Sequence, residues 1–180
     1  ALKELFKQNF LCSVENIYLK DSIGRTLSKP LIINKSIPEF DTSSMDGFAV
    51  KKSSLGEIAR FAVLGETPAG ARSNYSIKPH ECVRVYTGSR MPKNSDFVVI
   101  QENTWSKGNY IHVNDYDKKS PYVRKTGLDF KRGQKISNPM LIDYKLISAL
   151  ASLNLEQVSV IKRPKVCIIP TGNEILALGS

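Results

Sequence analysis

After Pro30, as far as about residue 125, the chain is a series of brief β-branched and aromatic runs separated by Gly, Pro, Asn and Ser. The runs are Gly47 to Lys51, Ile58 to Leu64, Cys82 to Thr87, Phe97 to Gln101 and Tyr110 to Val113. Runs this short suit strands rather than helices, because a strand needs only to alternate its side chains between two faces. The punctuation is turn chemistry. Thr67-Pro68-Ala69-Gly70, Met91-Pro92-Lys93-Asn94 and Ser106-Lys107-Gly108-Asn109 each contain residues that fix or permit turn dihedrals. A small all-β unit over residues 38–125 is the expected result.

Helical spacing flanks this unit. Leu2, Leu5, Phe6 and Phe10 predict a short amphipathic helix at the start, and a second short helix is expected across Leu19 to Leu27. From Asp143 to Leu153 the positions Leu146, Ile147, Leu150 and Leu153 repeat at helical period, with Pro139 before them and Asn154 after. The expected fold class is α+β: a mixed helical domain made of residues 1–37 and 126–162, with the all-β domain inserted at 38–125. Gln157 to Ile161 reads as a strand. Lys165 to Pro170 reads as another, buried on both faces and running into the polar Thr171-Gly172-Asn173-Glu174. Open α/β domains often begin this way, with ligands gathered beyond the carboxyl ends of the strands. Such a strand needs neighbours and crossover helices to cover it, so residues 163–180 are expected to be the first strand of a truncated α/β domain, and the chain a fragment.

Composition removes whole classes. With 41% hydrophobic and 24% charged residues the chain is of ordinary globular type, neither disordered nor collagen-like. No apolar run approaches the roughly 20 residues of a membrane-crossing helix. The start Ala1-Leu2-Lys3-Glu4-Leu5 is not a secretory signal, so a soluble, cytoplasmic protein without a membrane partner is expected. Cys12, Cys82 and Cys167 cannot all pair and read as reduced core residues. With only His80 and His112 and no C-x-x-C, ligands for structural zinc are too few. The net charge is +9, and seven basic residues face two acidic ones between Tyr116 and Lys135. Such a run suits an anionic partner, or is simply a solvated basic face.

Two polar segments carry the candidate chemistry. Phe40-Asp41-Thr42-Ser43-Ser44-Met45-Asp46-Gly47-Phe48-Ala49-Val50 places carboxylates and hydroxyls beside a glycine that allows close backbone approach. It suits a hydrated divalent cation or an anion held through one; it also suits an Asx or Ser turn leading into a strand. Thr87-Gly88-Ser89-Arg90-Met91-Pro92 could hold an oxyanion through hydroxyls, backbone N–H groups and a guanidinium, or be a hairpin connection.

These segments resemble a known family. Pro38 to Val50 is similar to the P-x-x-D-x-S-A-M-D-G-[YF]-A-V signature of the molybdopterin molybdotransferases, the MoeA and gephyrin E-domain family. Ile23 to Leu27 resembles its A-x-G-R-x-L element. Val83 to Pro92 and Asp96 to Glu102 resemble its R-I-x-T-G-A-x-x-P and D-x-V-V-x-x-E stretches. Val123 to Asp129 resembles the R-x-x-G-E-D turn, and Arg163 to Ile175 the R-x-P-x-V-x-x-x-S-T-G-D-E-L approach to the ligand-binding domain. The motifs occur in the family's order. Ser44 and Ser89 stand for the usual alanines, Thr126 and Leu128 for Arg and Glu, and Pro170 and Asn173 for Ser and Asp.

The resemblance implies Mg²⁺-dependent insertion of molybdate into molybdopterin, with hydrolysis of adenylylated molybdopterin and release of AMP. It implies catalytic roles for Asp46, Thr87, Asp129 and Glu174, with Asp46 and Glu174 as metal ligands. Ser44, Thr87, Gly88, Arg124 and Thr171 are implied in binding the substrate. It further implies a homodimer in which the β domain of one subunit faces the catalytic domain of the other, and the molybdopterin adenylyltransferase as a partner. The family's G-G-x-S and P-G-K-P type loops fall beyond residue 180, so the chain alone is expected not to turn over. Two readings from other classes are a basic β module binding nucleic acid and a non-catalytic scaffold of the same fold. Scattered aromatics, 8% of the chain, count against the first; retention of the four catalytic positions counts against the second.

Overall fold

The computed structural model describes residues 12–56, 59–137 and 140–172 together with Glu174, Leu176 and Gly179. The periodic stretch from Leu2 to Phe10 lies outside them. The described residues are mostly β, with a single α-helix among them. The chain divides into two compact units, Ala1–Leu31 with Ile136–Ser180, and Ile32–Lys135.

In the first unit, β1 (Val14–Tyr18) pairs antiparallel with β12 (Gln157–Ile161), Val14 opposite Ile161 and Tyr18 opposite Gln157. Helix α1 (Tyr144–Ser152) starts where the Asp143 carboxylate accepts the Leu146 N–H at 2.8 Å and stops before Asn154, at φ +58°. Leu150 and Leu153 of the apolar stripe are buried. The helix expected across Leu19 to Leu27 is one 3-10 turn, Leu19–Asp21. Three features end it. The buried Ser22 hydroxyl donates back to Leu19 O at 2.6 Å, Gly24 takes φ +72°, and Thr26 and Leu27 form bridges to Leu141 and Val160. The expected strand Lys165 to Pro170 is likewise corrected: residues 162–172 form no regular element, and Val166, Ile168 and Ile169 are 77%, 85% and 77% exposed. An apolar run becomes a buried strand only when neighbouring strands accept from its N–H groups and donate to its C=O groups, and none among the described residues does.

The second unit is entered through β2 (Leu31–Ile32) and left through β11 (Lys135–Ile136), which pair with each other. Its body is a six-stranded sheet in the order β7-β4-β6-β5-β9-β8. The strands are β4 (Gly47–Val50), β5 (Ala59–Thr67), β6 (Glu81–Val85), β7 (Phe97–Ile100), β8 (Thr104–Lys107) and β9 (Tyr110–Val113). Every pairing is antiparallel except β5 with β6. One face buries Phe48, Val50, Phe61, Cys82, Phe97, Val99 and Ile111; Ala49, Val85, Met91 and Val98 form a smaller cluster. A separate ribbon pairs β3 (Thr42–Ser43) with β10 (Val123–Arg124).

Candidate functional site

The ribbon β3–β10 and the start of β4 bring the polar segments together. Gly47 opposes Val85 of β6 and Ile100 of β7, and a Cβ there would overlap the Val99 carbonyl oxygen. Only glycine lets the backbone pass, which fixes Asp46 at the mouth of the sheet, beside the turn that leaves β6. One oxygen of the Asp46 carboxylate, Oδ1, accepts the Thr87 N–H at 2.7 Å and the Thr87 hydroxyl at 3.0 Å. Both residues are solvent-exposed. The two bonds from Thr87, backbone first, hold the Asp46 carboxyl below the usual carboxylate range, and the Arg84 guanidinium adds to the effect. The aspartate is therefore ionised through the physiological range.

Thr87 is held in turn by its neighbours. The Gly88 N–H donates to Ser43 O at 2.8 Å with Gly88 at φ +84°, a conformation that costs glycine little. Ser89, where the family usually has alanine, is fully buried. Its hydroxyl donates to Thr67 O at 2.7 Å and accepts the Tyr86 N–H at 2.9 Å. The departure is thus a satisfied internal link rather than a loss. Ser44, the other departure, reaches the ribbon through its backbone N–H, 3.0 Å from Tyr122 O.

On the other side of the same segment lies the turn at 124–129. The Arg124 guanidinium spans both Asp129 carboxylate oxygens at 2.7 and 3.0 Å, both side chains half-exposed. Asp41 accepts the Thr126 N–H at 2.8 Å, the Thr126 hydroxyl at 3.1 Å and the Lys125 ammonium at 2.8 Å. Burial raises the Asp41 pKa, but these bonds outweigh it and the carboxyl lies below its ordinary value. Thr126, another departure, therefore anchors the turn through Asp41. Asp41 counts among the carboxylates of the signature segment but is given no role of its own by the sequence, because its partners lie 84 and 85 residues away.

The structure thus brings Asp46 to Thr87 and Asp129 to Arg124, and sets Ser44 and Gly88 in the backbone between them. Thr171 and Glu174 belong to the first unit and are exposed; the Glu174 carboxyl group fills the space that a Cβ at Gly172 would need. Among the described residues no group of three His, Cys, Asp or Glu side chains could hold a metal ion. Mg²⁺ ordinarily takes one or two carboxylates, with waters and phosphate oxygens completing its shell, and the ionised, accessible Asp46 fits as one such ligand. No helix among the described residues is long and apolar enough to cross a membrane.

The architecture has a known counterpart. The crystal structure of a molybdopterin biosynthesis MoeA protein from Pyrococcus horikosii superposes with a TM-score of 0.87 at 24% identity, covering 99% of this chain and 47% of that one. The fold is therefore MoeA-like. The profile of the MoeA N-terminal region (domain I and II) matches residues 1–154, and the chain belongs to that family. Among curated relatives, the molybdopterin molybdenumtransferase of Nostoc sp. is 32% identical over 162 residues, covering 86% of this chain and 37% of its own length. That of Staphylococcus epidermidis is 29% identical over 182 residues, covering 98% and 43%. The chain spans less than half the length of these relatives.

Proposed function

We propose that the chain serves molybdenum cofactor biosynthesis as the N-terminal part of a molybdopterin molybdotransferase. The observation that carries the reading is the Asp46–Thr87 clasp, formed by the two residues at which the family's M-D-G and T-G motifs match. In this reading the substrates are molybdate and adenylylated molybdopterin. Asp46 and Glu174 are Mg²⁺ ligands; the ion, when bound, offsets negative charge on the phosphate leaving group and on the oxyanion. Thr87 keeps Asp46 ionised and oriented. Ser44, Gly88 and Thr171 would contribute hydrogen-bonding groups to the substrate. Asp129 holds Arg124 in place to meet a polyanion, and such an exposed pair, worth about 0–1 kcal/mol, is weak enough to exchange partners.

The finer architecture of the proposal is α+β, with residues 38–125 as an all-β insertion in a domain of 1–37 and 126–162, and 163–180 as the start of an α/β pterin-binding domain. The protein acts in the cytoplasm as a homodimer, each β domain serving the partner's catalytic domain, and receives substrate from the molybdopterin adenylyltransferase.

The test is AMP release from adenylylated molybdopterin in the presence of Mg²⁺ and molybdate, measured on the protein that carries this chain and on its Asp46→Ala variant. The expected result is a fall in rate of about 100-fold or more with folding intact. An unchanged rate would remove Asp46 from the mechanism, and no release by the unaltered protein would sink the proposal itself.

A further inference from the structure

Strands β5 and β9 turn one face to the core and the other to water, and the edge strand β8 lies beside β9, largely in water. Phe61 opposes Ile111, and both are buried. The alternate residues therefore point outward: Arg60, His112 and Trp105 stand in a row across the three strands, with Tyr110 and Lys107 opposed in the next row. These side chains are organised into two stacked pairs. The Trp105 and His112 rings lie 4.1 Å apart and 9° from parallel, and the Arg60 guanidinium sits 3.8 Å above the Tyr110 ring. Trp105 and Tyr110 remain 47% and 39% exposed.

Arg60, Lys107, Asn109, Tyr110 and His112 line an open recess of 410 Å³, which falls within the roughly 300–1,000 Å³ of small-molecule sites. No carboxylate appears in that lining, and among the described residues neither Arg60 nor Lys107 forms an ion pair. Two uncompensated positive charges beside accessible ring faces are complementary to one chemistry. The geometry points to a binding site for a planar heteroaromatic ring bearing a phosphate, the ring against the aromatic pairs and the phosphate between Arg60 and Lys107. Residues far apart in sequence form the site only because the β8–β9 hairpin lays them beside β5. The inference stands apart from the Asp46 clasp and uses none of its residues. The ligand is either a free nucleotide or a nucleotide within a single strand, since both present this chemistry.

Trp105 is the sole tryptophan of the chain, so its fluorescence reports on this face alone. The 180-residue chain is titrated with adenosine 5′-phosphate, adenosine, inorganic phosphate and a short oligoadenylate. Saturable quenching by adenosine 5′-phosphate at millimolar or lower concentration is expected, with adenosine and phosphate each about tenfold weaker, and with Arg60→Gln and Lys107→Gln each losing about tenfold in affinity. Tighter binding of the oligoadenylate with steep salt dependence assigns the ligand to a strand; equal affinity per nucleotide assigns it to the free form. The inference is overturned if neither phosphate-bearing nucleotide quenches, if adenosine quenches as well as its phosphate, or if both Gln variants respond as the unaltered chain does. Asp46→Ala leaves the quenching unchanged, which separates this outcome from that of the AMP-release test.

Discussion

Asp46 gives one carboxylate oxygen to two donors of the same residue, and the consequence can be titrated. Its folded-state pKa lies below the ordinary 3.8 because the Thr87 N–H and hydroxyl bond more strongly to the ionised form than to the protonated one. Any stabilisation from the clasp is therefore complete above that ordinary value and is lost as pH falls through the depressed one. Thr87→Val deletes the hydroxyl donor and keeps the backbone N–H. Its Asp46 pKa should rise toward 3.8, read from the carboxyl carbon shift by NMR. An unmoved titration would mean that the hydroxyl bond is not made in solution.

At the scale of elements, Gly47 is where chemistry and architecture meet. Gly47→Ala puts a Cβ against the Val99 carbonyl of the adjoining edge strand β7. The expected loss is about 1–3 kcal/mol, seen as a lower urea midpoint; a midpoint equal to that of the unaltered chain would show that β7 can move aside. Much of the sheet could be read from the chain. Phe97-Val98-Val99-Ile100 is apolar throughout because β7 is buried on both faces, and Tyr110 to Val113 was delimited by turn residues. Strand β8 was not legible: Thr104-Trp105-Ser106-Lys107 lies at the sheet edge, largely in water, and no burial demands an apolar pattern there. The reverse error was Lys165 to Pro170, whose apolar pattern predicts burial that its surroundings do not supply. In the candidate site Asp46, Thr87 and Asp129 were legible as motif positions, and the structure sets Asp46 against Thr87 and Asp129 against Arg124. Asp41, Ser89 and the Arg60 face were not, because hydrogen-bond partners and sheet neighbours across long separations leave no local pattern.

For the whole molecule, the contrast between the packed sheet and residues 162–172 predicts where a protease enters. Lys162 and Lys165 are exposed in a segment without regular structure, whereas Pro164 protects the bond after Arg163. Trypsin should cut this 180-residue chain there first, while the bonds after Lys and Arg within the sheet persist. Mass spectrometry of an early digest decides it, and initial cleavage inside residues 59–113 would contradict the packing described above.

The Ile33 N–H donates to the Gln134 carbonyl at 2.9 Å, so the second unit begins and ends at one place. The two ends of a unit of about a hundred residues thus lie about one strand spacing apart, ~4.8 Å. A gene could lose, gain or exchange such a module by splicing at adjacent points, and the host would need to close only a gap that a tight turn can span. Adjacent ends make the unit portable.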